Sequence, residues 1–210
     1  MTTAEVSRGS GVFTRVWTVP NGISLVRIAC APLVWWLLFG ADAPWAAAIV
    51  LGVLGASDWV DGWIARRFDQ GSELGKILDP VADRVLLVAA AIALLIWNIS
   101  WPVNVVLIVA LVREVGIAIA SVVLGMAGAR RIDVVWAGKA GTLALMFALP
   151  LFLAADETSG ALSWFCAFAA WCFAIGGIIL SYYAAMKYVP AAREALREGR
   201  AAKKATEALT

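Results

Sequence analysis

The stretch Asp58–Arg84 reads DWVDGWIARRFDQGSELGKILDPVADR. It sets Asp58, Asp61, Asp79 and Asp83, with Gly62, Arg66 and Gly75, into a chain whose flanking sequence is almost wholly apolar. Ionisable groups are costly in a hydrocarbon setting, so a cluster of them marks a functional site. Asp58 and Asp61 are three residues apart and Asp79 and Asp83 four apart, so on two helices each pair shares a face. The eight residues from Arg67 to Leu74, with Gly71 and Ser72 among them, turn the chain so that the two faces meet. Four converging carboxylates in a low-dielectric site require a compensating cation, and hard divalent cations take oxygen ligands. The spacing therefore predicts a divalent metal site, binuclear in character, at the ends of two membrane helices.

Composition agrees with that setting. Of the 210 residues 62% are hydrophobic and 15% charged, and the mean hydropathy of +0.85 is far above what a soluble domain of this size needs. The chain reads as an all-α integral membrane protein. A net charge of +2 gives no nucleic-acid footprint. Cys30, Cys166 and Cys172 all lie in apolar runs and are odd in number, which suits packing residues better than a disulfide framework. Histidine is absent, which removes Ser-His-Asp triads, histidine-ligated zinc and histidine bases together. Carboxylates are left as the acid–base and metal-binding groups.

Residues 1–19 mix Val12, Phe13, Val16 and Trp17 with Arg8 and Arg15, a pattern for an N-terminal interfacial helix on the membrane surface. Arg27 and Pro32 interrupt the first apolar run and no A-x-A site follows, which argues against a cleavable signal. Six spanning helices are predicted over residues 22–40, 44–66, 77–97, 102–127, 137–155 and 160–188, each near the twenty apolar residues that a bilayer demands. Residues 20–189 thus form a six-helix transmembrane catalytic domain, and residues 190–210 a charged, alanine-rich cytoplasmic tail in helical form. Lysine and arginine fall before the first helix, between the second and third, between the fourth and fifth, and after the sixth; the alternate loops have none. The positive-inside rule then puts both termini and the aspartate loop in the cytoplasm, in a multi-pass protein of the cell (inner) membrane.

The pattern Asp58-x2-Asp61-Gly62-x2-Ala65-Arg66-x8-Gly75-x3-Asp79-x3-Asp83 resembles, with no departures, the signature of the CDP-alcohol phosphotransferases, membrane enzymes of phospholipid synthesis. The resemblance implies that family's fold and a transfer of the phosphatidyl group of CDP-diacylglycerol to an alcohol, with release of CMP. A pair of divalent cations, Mg2+ or Mn2+, would neutralise the charge that builds on the pyrophosphate. On this reading Asp58, Asp61 and Asp79 are metal ligands. Asp83 stands one turn beyond Asp79, within reach of metal, and the resemblance also gives it the role of the base that takes the proton of the attacking alcohol. Gly62 and Ala65 lack bulk, so the nucleotide of CDP-diacylglycerol can approach the helix backbone. Arg66, one turn beyond Gly62, is suited to a phosphate oxygen, and Gly75 to close packing near the turn. The competing reading makes the aspartates helix caps or ion-pair partners of Arg66, Arg67 and Arg84; four at this spacing fit it poorly. Homodimerisation is a further implication of the resemblance.

The acceptor side rests on cations within or near the membrane: Arg113, Lys139 and Arg27. A phosphorylated acceptor explains them; the alternatives are that Arg113 pairs with Glu114 or a site aspartate and that Lys139 snorkels to the headgroups. The runs TVPNGISLVRIACAPL, VREVG and VVWAGKAGT resemble the phosphatidylglycerophosphate synthase and cardiolipin synthase branch. Glycerol 3-phosphate is the expected acceptor, phosphatidylglycerol the alternative. Inositol phosphate ranks lower, because the paired arginines associated with that activity are missing from the later helices. Outside the family, a membrane prenyltransferase would share Asp79-x3-Asp83 but needs a second, asparagine-containing motif, and a cation carrier would have no use for Gly62, Ala65 and Arg66 at this spacing.

Overall fold

A computed structural model of the chain describes residues 19–68, 75–126 and 136–207, with side-chain surroundings for residue 22 and for 24–57, 81–120 and 136–187. Six helices form among the described residues: α1 (Val19–Phe39), α2 (Pro44–Phe68), α3 (Gly75–Trp97), α4 (Trp101–Met126), α5 (Trp136–Glu157) and α6 (Gly160–Glu207). Their ends lie within three residues of the predicted spans, apart from the C-terminal end of α6. The expected interfacial helix falls on residues 1–18, outside the described part.

Local chemistry accounts for the breaks. Pro44 opens α2, and Pro20 and Pro102 each follow the first residue of their helix, at positions where a missing N–H costs nothing. After α1, the amides of Gly40 and Ala41 both donate to the Trp36 carbonyl at 2.8 Å, closing the last turn. Asn98 ends α3 at a left-handed φ of 61°, its amide donating to Leu94 O at 3.0 Å, and its side-chain oxygen accepts from Asn104 Nδ2. Asparagine tolerates that conformation better than most residues. Gly160 enters α6 at φ 65°.

Three described segments are long and apolar enough to cross a membrane: Trp101–Ala120, Trp136–Glu157 and Gly160–Lys187. Shorter apolar stretches lie in α1 (Ser24–Phe39) and α2 (Pro44–Ser57). Large apolar side chains such as Trp101, Trp136, Trp164, Phe165 and Phe168 are exposed, as expected for surfaces turned to lipid. Among the described residues there are six helices, at the positions of the six predicted spans, and three of them carry a long apolar span.

The chain divides into two compact units, Met1–Ala93 and Leu94–Thr210. In the first, α1 packs along α2, and Trp35 Nε1 of α1 donates to Ala89 O of α3 at 3.1 Å. Ala31, Val34, Leu38, Ala47, Leu51, Ala82, Leu86 and Ala90 form its core. In the second, α5 is the most enclosed helix: 61% of its span is buried, against 22% for α6 and 28% for α4. Antiparallel α5 and α6 meet through Phe152 edge-on to Trp171, at 5.3 Å between ring centroids, and through Phe147 and Phe173.

Glycine sets how closely these two helices approach. A Cβ on Gly141 would overlap Ser181 Oγ and stand 2.9 Å from the Gly177 carbonyl, while one on Gly177 would lie 3.0 Å from Gly141 O. Helices in lipid gain their adhesion from such close backbone contact. Gly141→Ala should therefore lower stability by about 1–3 kcal/mol, the usual cost of overpacking, read as an earlier thermal unfolding transition in detergent. An unchanged transition would mean that α5 and α6 can separate freely.

Candidate active site

The first half of the aspartate pattern lies on α2 and the second half on α3, as the spacing predicts. Asp58, Asp61, Gly62, Ala65 and Arg66 belong to the last three turns of α2, while Gly75, Asp79 and Asp83 occupy the first turns of α3. Asp83 is the one member of the eight whose side chain is among those described; the side chains of Asp58, Asp61, Ala65, Arg66 and Asp79, with Gly62 and Gly75, lie outside them.

Asp83 is largely enclosed, with 17% of its side chain exposed, and its Oδ1 accepts from Nη1 of Arg27 in a close ion pair. Arg27 itself is wholly buried. Its second terminal nitrogen donates to Ser57 Oγ at 3.3 Å, and that hydroxyl donates in turn to the Leu54 carbonyl at 2.7 Å. Ser57 directly precedes Asp58. One guanidinium on α1 thus joins α2, next to the first half of the pattern, to the last aspartate of the second half. The pairing spans 56 residues of chain, so no local sequence signal reveals it. The same burial bears on the acceptor reading of Arg27, whose charge is met inside the protein by Asp83.

In the second unit, Arg113 and Glu114 are both buried on α4 and form an ion pair with each other. Arg113 Nη1 also donates to Thr142 Oγ1 at 3.2 Å, and Thr142 donates to the Gly138 carbonyl at 3.1 Å on the same helix. Gly138 lies beside the guanidinium: a Cβ there would stand in ordinary contact, 3.9 Å from Arg113 Nη2. Arg113 Nε has no hydrogen-bond partner among the described residues. Neighbours in sequence do not ordinarily face each other on a helix, so the pair forms through the reach of the two side chains. Lys139, one residue beyond Gly138, is exposed. Of the partners open to Arg113 from the sequence, Glu114 is the one it pairs with.

Chemically, the first unit presents a carboxylate held in a fixed orientation next to two helix ends rich in acidic residues. Such oxygens suit a hard divalent cation or the proton of a hydroxyl.

The profile described as CDP-alcohol phosphatidyltransferase matches residues 17–180. The CMP-forming cardiolipin synthase of Streptomyces coelicolor is 36% identical over 188 residues, covering 87% of this chain and 86% of that protein. The CDP-diacylglycerol–glycerol-3-phosphate 3-phosphatidyltransferase of Escherichia coli is 34% identical over 141 residues, covering 65% of this chain and 77% of its own. The matched region contains all eight positions of the aspartate pattern, and the chain is a member of the CDP-alcohol phosphatidyltransferase family, a membrane enzyme of phospholipid biosynthesis.

Proposed function

We propose that this enzyme transfers the phosphatidyl group of CDP-diacylglycerol to a free hydroxyl of phosphatidylglycerol, forming cardiolipin and CMP. The observation that carries the choice of acceptor is the extent of likeness to the CMP-forming cardiolipin synthase, which runs over 188 residues against 141 for the glycerol-3-phosphate enzyme. Within the protein Glu114 meets Arg113 and Asp83 meets Arg27, so neither arginine calls for a soluble phosphate as its counter-charge. Of the three cations considered for the acceptor, Lys139 is exposed, and we assign it to the acceptor phosphate. The second reading, glycerol 3-phosphate as acceptor, is favoured by the Escherichia coli relative.

In the transfer, the acceptor hydroxyl attacks the phosphorus bearing the diacylglycerol. Its oxygen forms the new P–O bond, the pyrophosphate bridge breaks on the side of that phosphorus, and CMP leaves with the bridging oxygen. Asp83 takes the hydroxyl proton. Asp58, Asp61, Asp79 and Asp83 are all-oxygen donors fit to hold two Mg2+ or Mn2+ ions, which when bound would offset the charge developing on the pyrophosphate. Gly62, Ala65 and Gly75 give the nucleotide access to the helix backbone, and Arg66 binds a phosphate oxygen. The site opens to the cytoplasm, where CMP is released, with six spans in the cell membrane and the homodimer as the working assembly.

The assay that tests this uses purified protein in mixed micelles with CDP-diacylglycerol and Mg2+, with phosphatidylglycerol, glycerol 3-phosphate and inositol phosphate offered separately. CMP release is expected with phosphatidylglycerol and not with the others. Release with glycerol 3-phosphate alone would move the assignment to phosphatidylglycerophosphate synthase, and a chelator that left the rate unchanged would end the metal reading.

A further inference from the structure

We propose that Arg27 is a positioning residue, a two-pronged strut that holds Asp83 in its reactive orientation and sets the spacing between the two halves of the aspartate pattern. The inference rests on the reading of Asp83 as the proton acceptor. Three observations carry it. Arg27 is wholly buried, so its guanidinium is committed to the protein interior. Its two terminal nitrogens reach different helices, one to Asp83 Oδ1 on α3 and the other to Ser57 Oγ on α2 at 3.3 Å. Ser57 is itself fixed by its bond to Leu54 O at 2.7 Å, so the strut is anchored at both ends.

A planar guanidinium with a forked set of donors can make both contacts at once; an ammonium on a flexible stem makes one strong contact and leaves the other end loose. Buried ion pairs contribute little net stability, because desolvation offsets most of their attraction, and their best-supported use is to specify geometry. Here the geometry at stake is that of the reacting groups, where displacement by about 1 Å can cost on the order of 100-fold in rate. Arg27 acts through Asp83, not on the substrate.

The test compares Arg27→Gln, Arg27→Lys and Asp83→Asn in nanodiscs containing anionic lipid, with kcat, KM for each substrate and the thermal transition measured for all. Arg27→Gln should lower kcat about 100-fold while KM for CDP-diacylglycerol and for the acceptor stays within about threefold. Arg27→Lys should unfold close to the parent temperature and recover about tenfold of that loss, since it keeps the contact to Asp83 and loses the one to Ser57. If Arg27→Gln does not fold, Arg27→Lys decides: a tenfold lower kcat supports the strut, and a parental kcat overturns it. A raised acceptor KM at unchanged kcat would also overturn it, making Arg27 a binding residue. Parental kcat in Arg27→Gln beside an inactive Asp83→Asn would end this inference alone, whereas an active Asp83→Asn would end the base assignment.

Discussion

Asp83→Asn should reduce CMP release by about 100- to 10,000-fold, the range expected when a general base is removed, while leaving CDP-diacylglycerol bound. The amide keeps an oxygen where the carboxylate accepts from Arg27, so the shape of the site survives and only the capacity to take a proton is lost. The same substitution removes the carboxylate charge that faces the buried Arg27, and breaking such a pair costs about 3–5 kcal/mol. The rate must therefore be read per folded molecule, with the thermal transition and binding of radiolabelled CDP-diacylglycerol measured alongside. Near-parental turnover in folded Asp83→Asn would remove Asp83 from the chemistry.

The second large effect is expected at α4. Removing either member of the Arg113–Glu114 pair breaks a buried ion pair, so Arg113→Met and Glu114→Met should each cost about 3–5 kcal/mol. Because Arg113 Nε lacks a hydrogen-bond partner among the described residues, the pair does not recover its full desolvation cost. The double variant Arg113→Met/Glu114→Met should consequently be much less destabilised than the sum of the singles, and close to the parent. Denaturation in detergent micelles would show it as a strongly non-additive cycle. If the single variants unfold at the parental temperature, the ion pair carries no weight in the folded state, and Arg113 becomes available again as an acceptor contact.

These two pairs also show how differently the sequence exposes its own chemistry. Arg113 and Glu114 are adjacent, so their pairing was one of the readings open from sequence. What the structure adds is that both are buried and that Thr142, 29 residues away, joins them. The link from Arg27 to Asp83 connects positions 56 residues apart, and in sequence Arg27 shows only as an isolated cation in an apolar run. It therefore looked like a group in need of an external anion.

The extent of α6 makes a related point. The apolar run predicts a last span ending near residue 188 with a helical tail beyond it, whereas one helix runs from Gly160 to Glu207. The tail is rich in alanine, glutamate, arginine and lysine, all strong helix formers, so the helix continues after its apolar face ends.

By itself, the sequence determined the helix count among the described residues, the approximate helix ends and the membership of the family. These depend on lengths of apolar run, on prolines and glycines at the ends, and on residues a few positions apart, all of which are local properties. Only the tertiary structure decided which carboxylate meets each buried arginine and which glycines bring α5 against α6. The link from Arg27 to Asp83 and the approach of α5 to α6 depend on long-range packing, because a guanidinium taken out of lipid and water is matched by an oxygen that a neighbouring helix brings within reach.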